Sequence, residues 1–220
     1  MARRYGQFDP VTTAVELIGE RWALLIVRDL LVGARRYTDL RHGLPGVPTN
    51  ILSTRLRELQ EGGVIRRVPL RNCGLVYELT DSGRRLEPIV LELSRWGAEQ
   101  MTEPAPGDAV TADAVTIALR AAFRPGGADP VDYELRVGEV VLRVQVGAGL
   151  DVWQVAPPAS PVGGALPPGE PDVVIEAGPG LLRGDEDAVR VARGDAALAE
   201  RFAQDFAFRR SASPRPRASG

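Results

Sequence analysis

The stretch PTNILSTRLRELQEGGVIRR, residues 48–67, decides how the first half of the chain is read. At about 100° per residue, Leu52, Leu56 and Leu59 form a narrow apolar stripe, so the segment reads as an amphipathic helix facing a core. Asn50, Thr54 and Arg57 fall near the opposite side, with Thr49 and Ser53 on one flank. Pro48 opens the helix at a position where its missing N–H costs nothing. No carboxylate occurs in the helix before Glu58. Such a face suits a DNA major groove, because short donors and acceptors let the helix approach and no negative charge meets phosphate. Asn pairs bidentately with adenine, Arg reaches guanine or phosphate, and the helix N-terminus adds a dipole that favours anions. A plain solvated helix presents the same face, and the helix alone does not separate the two readings.

Its neighbours favour DNA. Upstream, VTTAVELIG and ERWALLIVRDLLVG read as two apolar-rich helices separated by Gly19. Trp22, Leu25, Ile26 and Leu30 predict that the second is a central helix buried nearly all round. YTDLRHGL makes a short helix carrying Thr38 and the single histidine, His42, and LPGVP turns the chain. Downstream, Glu61-Gly62-Gly63 stops the quoted helix, and VIRRVPL and LVYELT read as strands joined by RNCG. That hairpin sets Arg66, Arg67, Arg71 and Asn72 where a wing lies against the DNA backbone. Thr80 or Asp81 caps a single last helix, DSGRRLEPIVLELSRWGAEQM. The candidate DNA-contacting set is Thr38, Pro48, Thr49, Asn50, Ser53, Thr54, Arg55, Arg57, Arg66, Arg67, Arg71 and Asn72.

Composition bounds the alternatives. A chain of 220 residues with 44% hydrophobic content buries a sizeable core and is long enough for two modest domains. The net charge of −2 argues for no partner by itself, but its distribution is uneven. Residues 1–101 carry 15 Arg against 12 Asp and Glu, whereas residues 102–220 carry 12 Arg against 17 Asp and Glu. All 27 basic residues are Arg, a bias that a GC-rich genome produces without functional meaning. One cysteine, Cys73, allows neither an intrachain disulfide nor a cysteine-based metal site. His42 has no Cys or His partner at ligand spacing, so no metal and no cofactor are expected. MARRYGQFDP lacks the apolar run of a secretory signal and no stretch approaches a membrane span, so a cytoplasmic protein without a membrane partner is expected.

From residue 111 the pattern changes. TEPAPGDAV, residues 102–110, reads as a linker, and TADAVTIALRAAFRP as a helix. VDYELRVG and EVVLRVQVG alternate apolar and polar residues and meet at Gly138–Glu139, which reads as a hairpin. LDVWQVA and DVVIEAG supply two more strands, APPASPVGGALPPGEP a loop, AALAERFAQDFAF a closing helix and RRSASPRPRASG a disordered tail. Tyr133, Leu135 and Val137 share one strand face, as do Val140, Leu142, Val144 and Val146 on the next. No catalytic set emerges here: Ser160 lies in the Pro-rich loop, and GDEDA lacks the ligand spacing of a calcium loop. An enzyme is not expected.

The pieces IGERWALLIVRDLL, RRYTDL, LPGVPTNILSTRLRELQEGGVI and YELTDSGR, within roughly residues 8–97, resemble the HxlR-type family of winged helix-turn-helix transcriptional regulators. The resemblance implies a homodimer on a pseudo-palindromic double-stranded operator, with first and last helices of each winged domain packed against the partner. Val15, Leu17, Ile18, Ile89, Leu93 and Trp96 are then candidates for that interface, with monomer core the alternative for each. Many members carry a cysteine just before the proline that opens the first helix, and some sense oxidants with it. Asp9 stands there in this chain, so the resemblance does not carry cysteine sensing over, and Cys73 is read as an incidental thiol. In the second half, VDYELRVGEVVLRVQVGAGLDVWQV, PDVVIEAG and VRVARGDAALAERFAQDF resemble the sterol-carrier-protein-like fold, a sheet with helices around an apolar tunnel. That implies a small apolar ligand, with Phe123, Leu142, Trp153 and Phe206 as lining candidates and solid core as the alternative. EAGPGLLRGDEDA is shorter than the helical lid of that family.

The expected architecture is α+β throughout. Residues 1–101 form a winged helix-turn-helix domain for DNA binding and dimerisation and 102–110 a linker. Residues 111–208 form a small sterol-carrier-protein-like α+β domain, and 209–220 the tail. The expected function is sequence-specific transcriptional regulation with a ligand-sensing second domain. The alternative is a regulator whose second domain only mediates dimerisation or protein contact.

Overall fold

The computed structural model describes residues 5–70, 74–126, 129–156, 166–185 and 188–208. The chain divides into two compact units, one running up to Val90 and one from Leu91 onward.

The first unit opens with α1 (Pro10–Ile18), α2 (Ala23–Val32), α3 (Tyr37–Gly43) and α4 (Thr49–Glu61). A hairpin follows, β1 (Ile65–Leu70) paired antiparallel with β2 (Gly74–Leu79), then α5 (Asp81–Arg84) and α6 (Glu87–Ala98), whose residues from Leu91 onward belong to the second unit. Asp9 starts α1: its carboxylate accepts hydrogen bonds from the Val11 N–H at 2.9 Å and the Thr12 N–H at 3.0 Å. The residue just before the proline that opens α1 therefore serves as its helix cap. Ile26 and Leu30 from α2, Leu40 from α3, and Leu52, Leu56 and Leu59 from α4 are all buried, as are Ile65, Val76 and Leu79 of the hairpin. Each such side chain contributes about 1.5–3 kcal/mol by leaving water. Arg35 extends the hairpin by a bridge to Tyr77, with Arg35 N–H to Tyr77 carbonyl at 3.0 Å and the return bond at 2.8 Å.

Three details differ from expectation. Trp22 precedes α2 instead of lying in it, with φ of 79° in the left-handed region, and the Arg21 guanidinium stands 5.3 Å from its ring centroid. α2 is not buried all round, since Leu25 faces outward while Ala23, Ile26, Val27 and Leu30 face the core. The last helix is two helices. Thr80 caps α5, accepting from the Gly83 N–H, but Pro88 has no N–H for the Arg84 carbonyl and its ring crowds that group, so the chain turns at Arg85–Leu86 before α6. Gly83 is required by close approach: a Cβ there would lie 2.1 Å from the Val64 carbonyl oxygen.

The second unit contains α7 (Ala112–Ala122), β3 (Val131–Val137), β4 (Val140–Val146), β5 (Leu150–Ala156), β6 (Val173–Ala177), β7 (Val189–Arg193) and α8 (Ala196–Asp205). Residues 102–110 carry no helix or strand. The sheet order is β5-β4-β3-β6-β7, antiparallel except for the β3–β6 pair. The alternation read from the sequence holds: Tyr133, Leu135 and Val137 join Leu142, Val144 and Val146 in one apolar core with Val115 and Leu119 of α7 and Phe202 and Phe206. One 3-10 turn, Pro179–Arg183, occupies the shortened stretch between β6 and β7. On the other sheet face the Arg143 guanidinium clamps the Asp132 carboxylate, Nε to Oδ1 at 2.9 Å and Nη2 to Oδ2 at 2.5 Å, and reaches the Gly169 carbonyl at 3.1 Å. These bonds raise the pKa of Arg143 further, against the opposing effect of burial. Ser160 and the tail 209–220 lie outside the described residues.

Candidate nucleic-acid interface

The turn between α3 and α4 is held from beneath. Leu44 and Val47 are buried, the Val47 N–H donates to the Leu44 carbonyl at 3.1 Å, and Gly46 takes φ of 79°, a conformation that disfavours side chains. Pro48 then caps α4 without a side-chain hydrogen bond, and no acidic residue stands in the first turn. The N-terminal amides of α4 are thus left for an external acceptor, the arrangement that suits phosphate.

Thr49, Asn50, Ser53 and Arg57 are exposed on α4, Thr54 is half-buried, and Thr38 is exposed on α3. Arg57 has only a loose ion pair, 3.9 Å from Glu61. Arg55 is placed differently: it is largely buried and pairs with Glu58 and, at 3.6 Å, with Glu20. Its charge is spent within the unit, because its backbone position turns it toward the α1–α2 corner. On the hairpin, Arg66 is exposed and pairs with Glu78 at 2.6 Å, while the Arg67 guanidinium lies 5.7 Å from the centroid of the Tyr77 ring. Arg71, Asn72 and Cys73 lie outside the described residues.

Two tyrosines outside the expected set organise this surface. The Tyr37 hydroxyl donates to the Thr49 carbonyl at 3.1 Å and accepts from the Ser53 hydroxyl at 3.3 Å, tying α3 to the first turn of α4. Tyr37, Ser53, Arg57, Arg67 and Tyr77 line a groove of about 310 Å³ between α4 and the hairpin. Tyr37 stood beside Thr38 in RRYTDL, but nothing in helical periodicity shows that a hydroxyl on one helix meets a carbonyl on the next.

His42 is exposed, and the described residues contain no group of three or more His, Cys, Asp or Glu placed to hold a metal. No helix among the described residues is long and apolar enough to cross a membrane. Of the interface candidates, Val15, Leu17, Ile89, Leu93 and Trp96 are exposed in the single chain and Ile18 is half-buried. Trp96 is 64% exposed, far from a core residue. Of the ligand-lining candidates, Leu142 and Phe206 sit in the solid core, and Phe123 meets Phe206 at 5.9 Å between ring centroids. Trp153 does not join them: it stands opposite Arg143 in the β4–β5 register, on the other face of the sheet, because side chains alternate along a strand.

A family model described as HxlR-like helix-turn-helix matches residues 17–105. The chain is 40% identical over 88 residues to the HTH-type transcriptional regulator YvaP of Bacillus subtilis, covering 39% of this chain and 82% of that protein. It is 42% identical over 98 residues to the HTH-type transcriptional regulator Rv3095 of Mycobacterium tuberculosis, covering 44% of this chain and 61% of that one, less than two thirds of its length. Among solved structures, the reduced form of the transcriptional regulator YodB from B. subtilis is similar at 30% identity, with 46% of this chain and 100% of that chain covered and a TM-score of 0.38. With the helix-turn-helix, the hairpin and a regulator of which it spans four fifths, the chain belongs to the HxlR-like helix-turn-helix family of transcriptional regulators.

Proposed function

We propose that the protein is a sequence-specific regulator that binds a pseudo-palindromic operator as a homodimer in the cytoplasm. α4 enters the major groove, with Asn50 and Arg57 reading base edges, and Thr38, Thr49, Ser53, Arg66 and Arg67 contacting phosphates. The observation that carries the reading is the outward face of α4: small polar groups, one loosely paired arginine and an N-terminal turn free of acid. The exposed apolar side chains of α1 and α6 support the dimer. The second unit is read as a sterol-carrier-protein-like sensor, supported by its mixed sheet with one apolar core shared with α7 and α8. The closed packing of Leu142 and Phe206 favours the second reading, in which that unit only mediates dimerisation or protein contact. Fluorescence anisotropy tests the DNA reading. Asn50→Ala should weaken operator binding by about 1–3 kcal/mol and leave random DNA nearly unchanged; equal losses on both refute base reading there. Sedimentation of the full chain tests the dimer.

A further inference from the structure

Helix α6 has two opposed faces. At about 100° per residue, Ile89, Leu93 and Trp96 centre on one side and Ser94, Arg95 and Ala98 on the other. The first set is exposed and apolar. The second lines a cleft of about 210 Å³ within the second unit, walled by Phe123, Leu182 and Phe208 and bounded by Ala118. Among the described residues, the only charged side chains lining it are Arg95 and Arg124, and no carboxylate does. This is unlike its surroundings, since residues 102–220 carry more acid than arginine.

The two arginines differ. Arg95 is anchored, Nε donating to the Ala121 carbonyl at 2.7 Å and Nη1 to Glu92 at 2.5 Å. Arg124 is exposed, and its side chain has no hydrogen bond or ion pair among the described residues. The carbonyl end of α7 would repel an anion. Its Ala121 carbonyl is covered by Arg95, however, and its Ala122 carbonyl accepts from the Ala207 N–H at 2.8 Å. What remains is a hollow of mixed lining, part aromatic and aliphatic and part polar, with one fixed cation and one that is unpaired among the described residues. Its volume is below the ~300–1,000 Å³ of most ligand pockets, so the occupant is small.

We propose that this cleft binds a small amphipathic carboxylate, a short acyl or aryl acid, with its apolar body against Phe123, Leu182 and Phe208 and its carboxylate on Arg124 and the remaining N–H groups of Arg95. Because α6 carries the exposed apolar side chains on its opposite face, occupancy shifts the helix through which a second copy docks; this regulatory clause rests on the homodimer reading above.

Calorimetry on the full chain tests the site with octanoate and its uncharged counterpart octanol. Octanoate should bind saturably, one per chain, and octanol at least about tenfold more weakly, the size of one charge-assisted hydrogen bond. Arg124→Gln should weaken octanoate by at least about tenfold and leave octanol unchanged. Ala118→Leu, which fills the cleft, should abolish both while the thermal melt stays two-state. Equal affinities for acid and alcohol, unaltered octanoate binding in Arg124→Gln, or no octanoate binding overturns the proposal. The regulatory clause predicts that saturating octanoate changes operator affinity at least about fivefold; binding without that change overturns the clause alone. A chain that sediments as a monomer yet binds octanoate refutes the dimer reading and leaves the site standing.

Discussion

α4 and β4 are built on the same rule and end with different surfaces. Each sends apolar side chains to one side, Leu52, Leu56 and Leu59 in the helix and Leu142, Val144 and Val146 in the strand, all buried. The other side of β4 is spoken for, since Arg143 is clamped by Asp132 and the Gly169 carbonyl. The other side of α4 is left open, with Asn50 exposed and Arg57 held only loosely by Glu61. Polar groups that satisfy one another build a fold, whereas polar groups left facing water on a rigid element are the ones able to recognise something else.

The sharpest way to break this comparison is to remove the support under each surface. Leu56→Ala and Leu142→Ala should each cost about 2–5 kcal/mol, because each leaves a cavity in a packed core. Their consequences should differ. Leu56→Ala should lower the unfolding transition of the first unit and abolish operator binding at temperatures where that transition begins. Leu142→Ala should lower the transition of the second unit and leave operator affinity within about twofold. Calorimetric melting with anisotropy on the same samples reads both, and a single transition shifted alike by both variants would refute independence of the two units.

This contrast also explains what could be read without coordinates. Periodicity located α4, the hairpin and β3 to β6 of the second unit, because burying one face leaves a period of 3.6 or 2 in the residue types, but not β7, whose five residues are all partly or fully exposed. It missed the break before α6, where the apolar pattern runs on but Pro88 forbids the backbone from doing so. It placed Trp22 in α2 because an aromatic residue at core spacing resembles a helix position, while the left-handed φ belongs to the turn. Residue type put Arg55 among the DNA contacts, but it pairs with Glu58 at i,i+3 on its own helix, a spacing the sequence does show, and with Glu20, a partnership between elements that no local spacing encodes. Residue type alone sets Trp153 beside Leu142 as an apolar lining residue, but strand alternation separates them once the β4–β5 register is known.

A titration sharpens the comparison from the side of the second unit. Tyr133 is fully buried, its hydroxyl donates to the Leu198 carbonyl at 3.1 Å, and its ring meets Phe202 edge-on at 5.2 Å. Burial first, and the Asp205 carboxylate second, push its pKa from 10.0 up to about 12. The folded state thus favours the neutral phenol. That stabilisation is fully present below the unfolded pKa of 10.0 and is lost as pH rises toward 12. The loss should amount to about 2 kcal/mol, confined to the second-unit transition. Denaturant unfolding between these pH values measures it, and Tyr133→Phe should flatten the slope; an unchanged slope in the variant would assign the pH dependence to another group.

The smallest effect tests whether the open face of α4 is positioned or merely exposed. Tyr37→Phe removes one hydroxyl, which bonds the Thr49 carbonyl and the Ser53 side chain, and changes no charge. A hydrogen bond of this kind is worth about 0.5–1.5 kcal/mol, so operator affinity should fall about 2- to 10-fold. The salt dependence should stay as it was, because no phosphate-facing cation is lost; Arg67→Ala, by comparison, should flatten it on every sequence. If Tyr37→Phe binds the operator as the parent does, the first turn of α4 is held by Leu44, Val47 and Leu52 alone, and the polar tie between α3 and α4 is a consequence of their packing and not a cause of it.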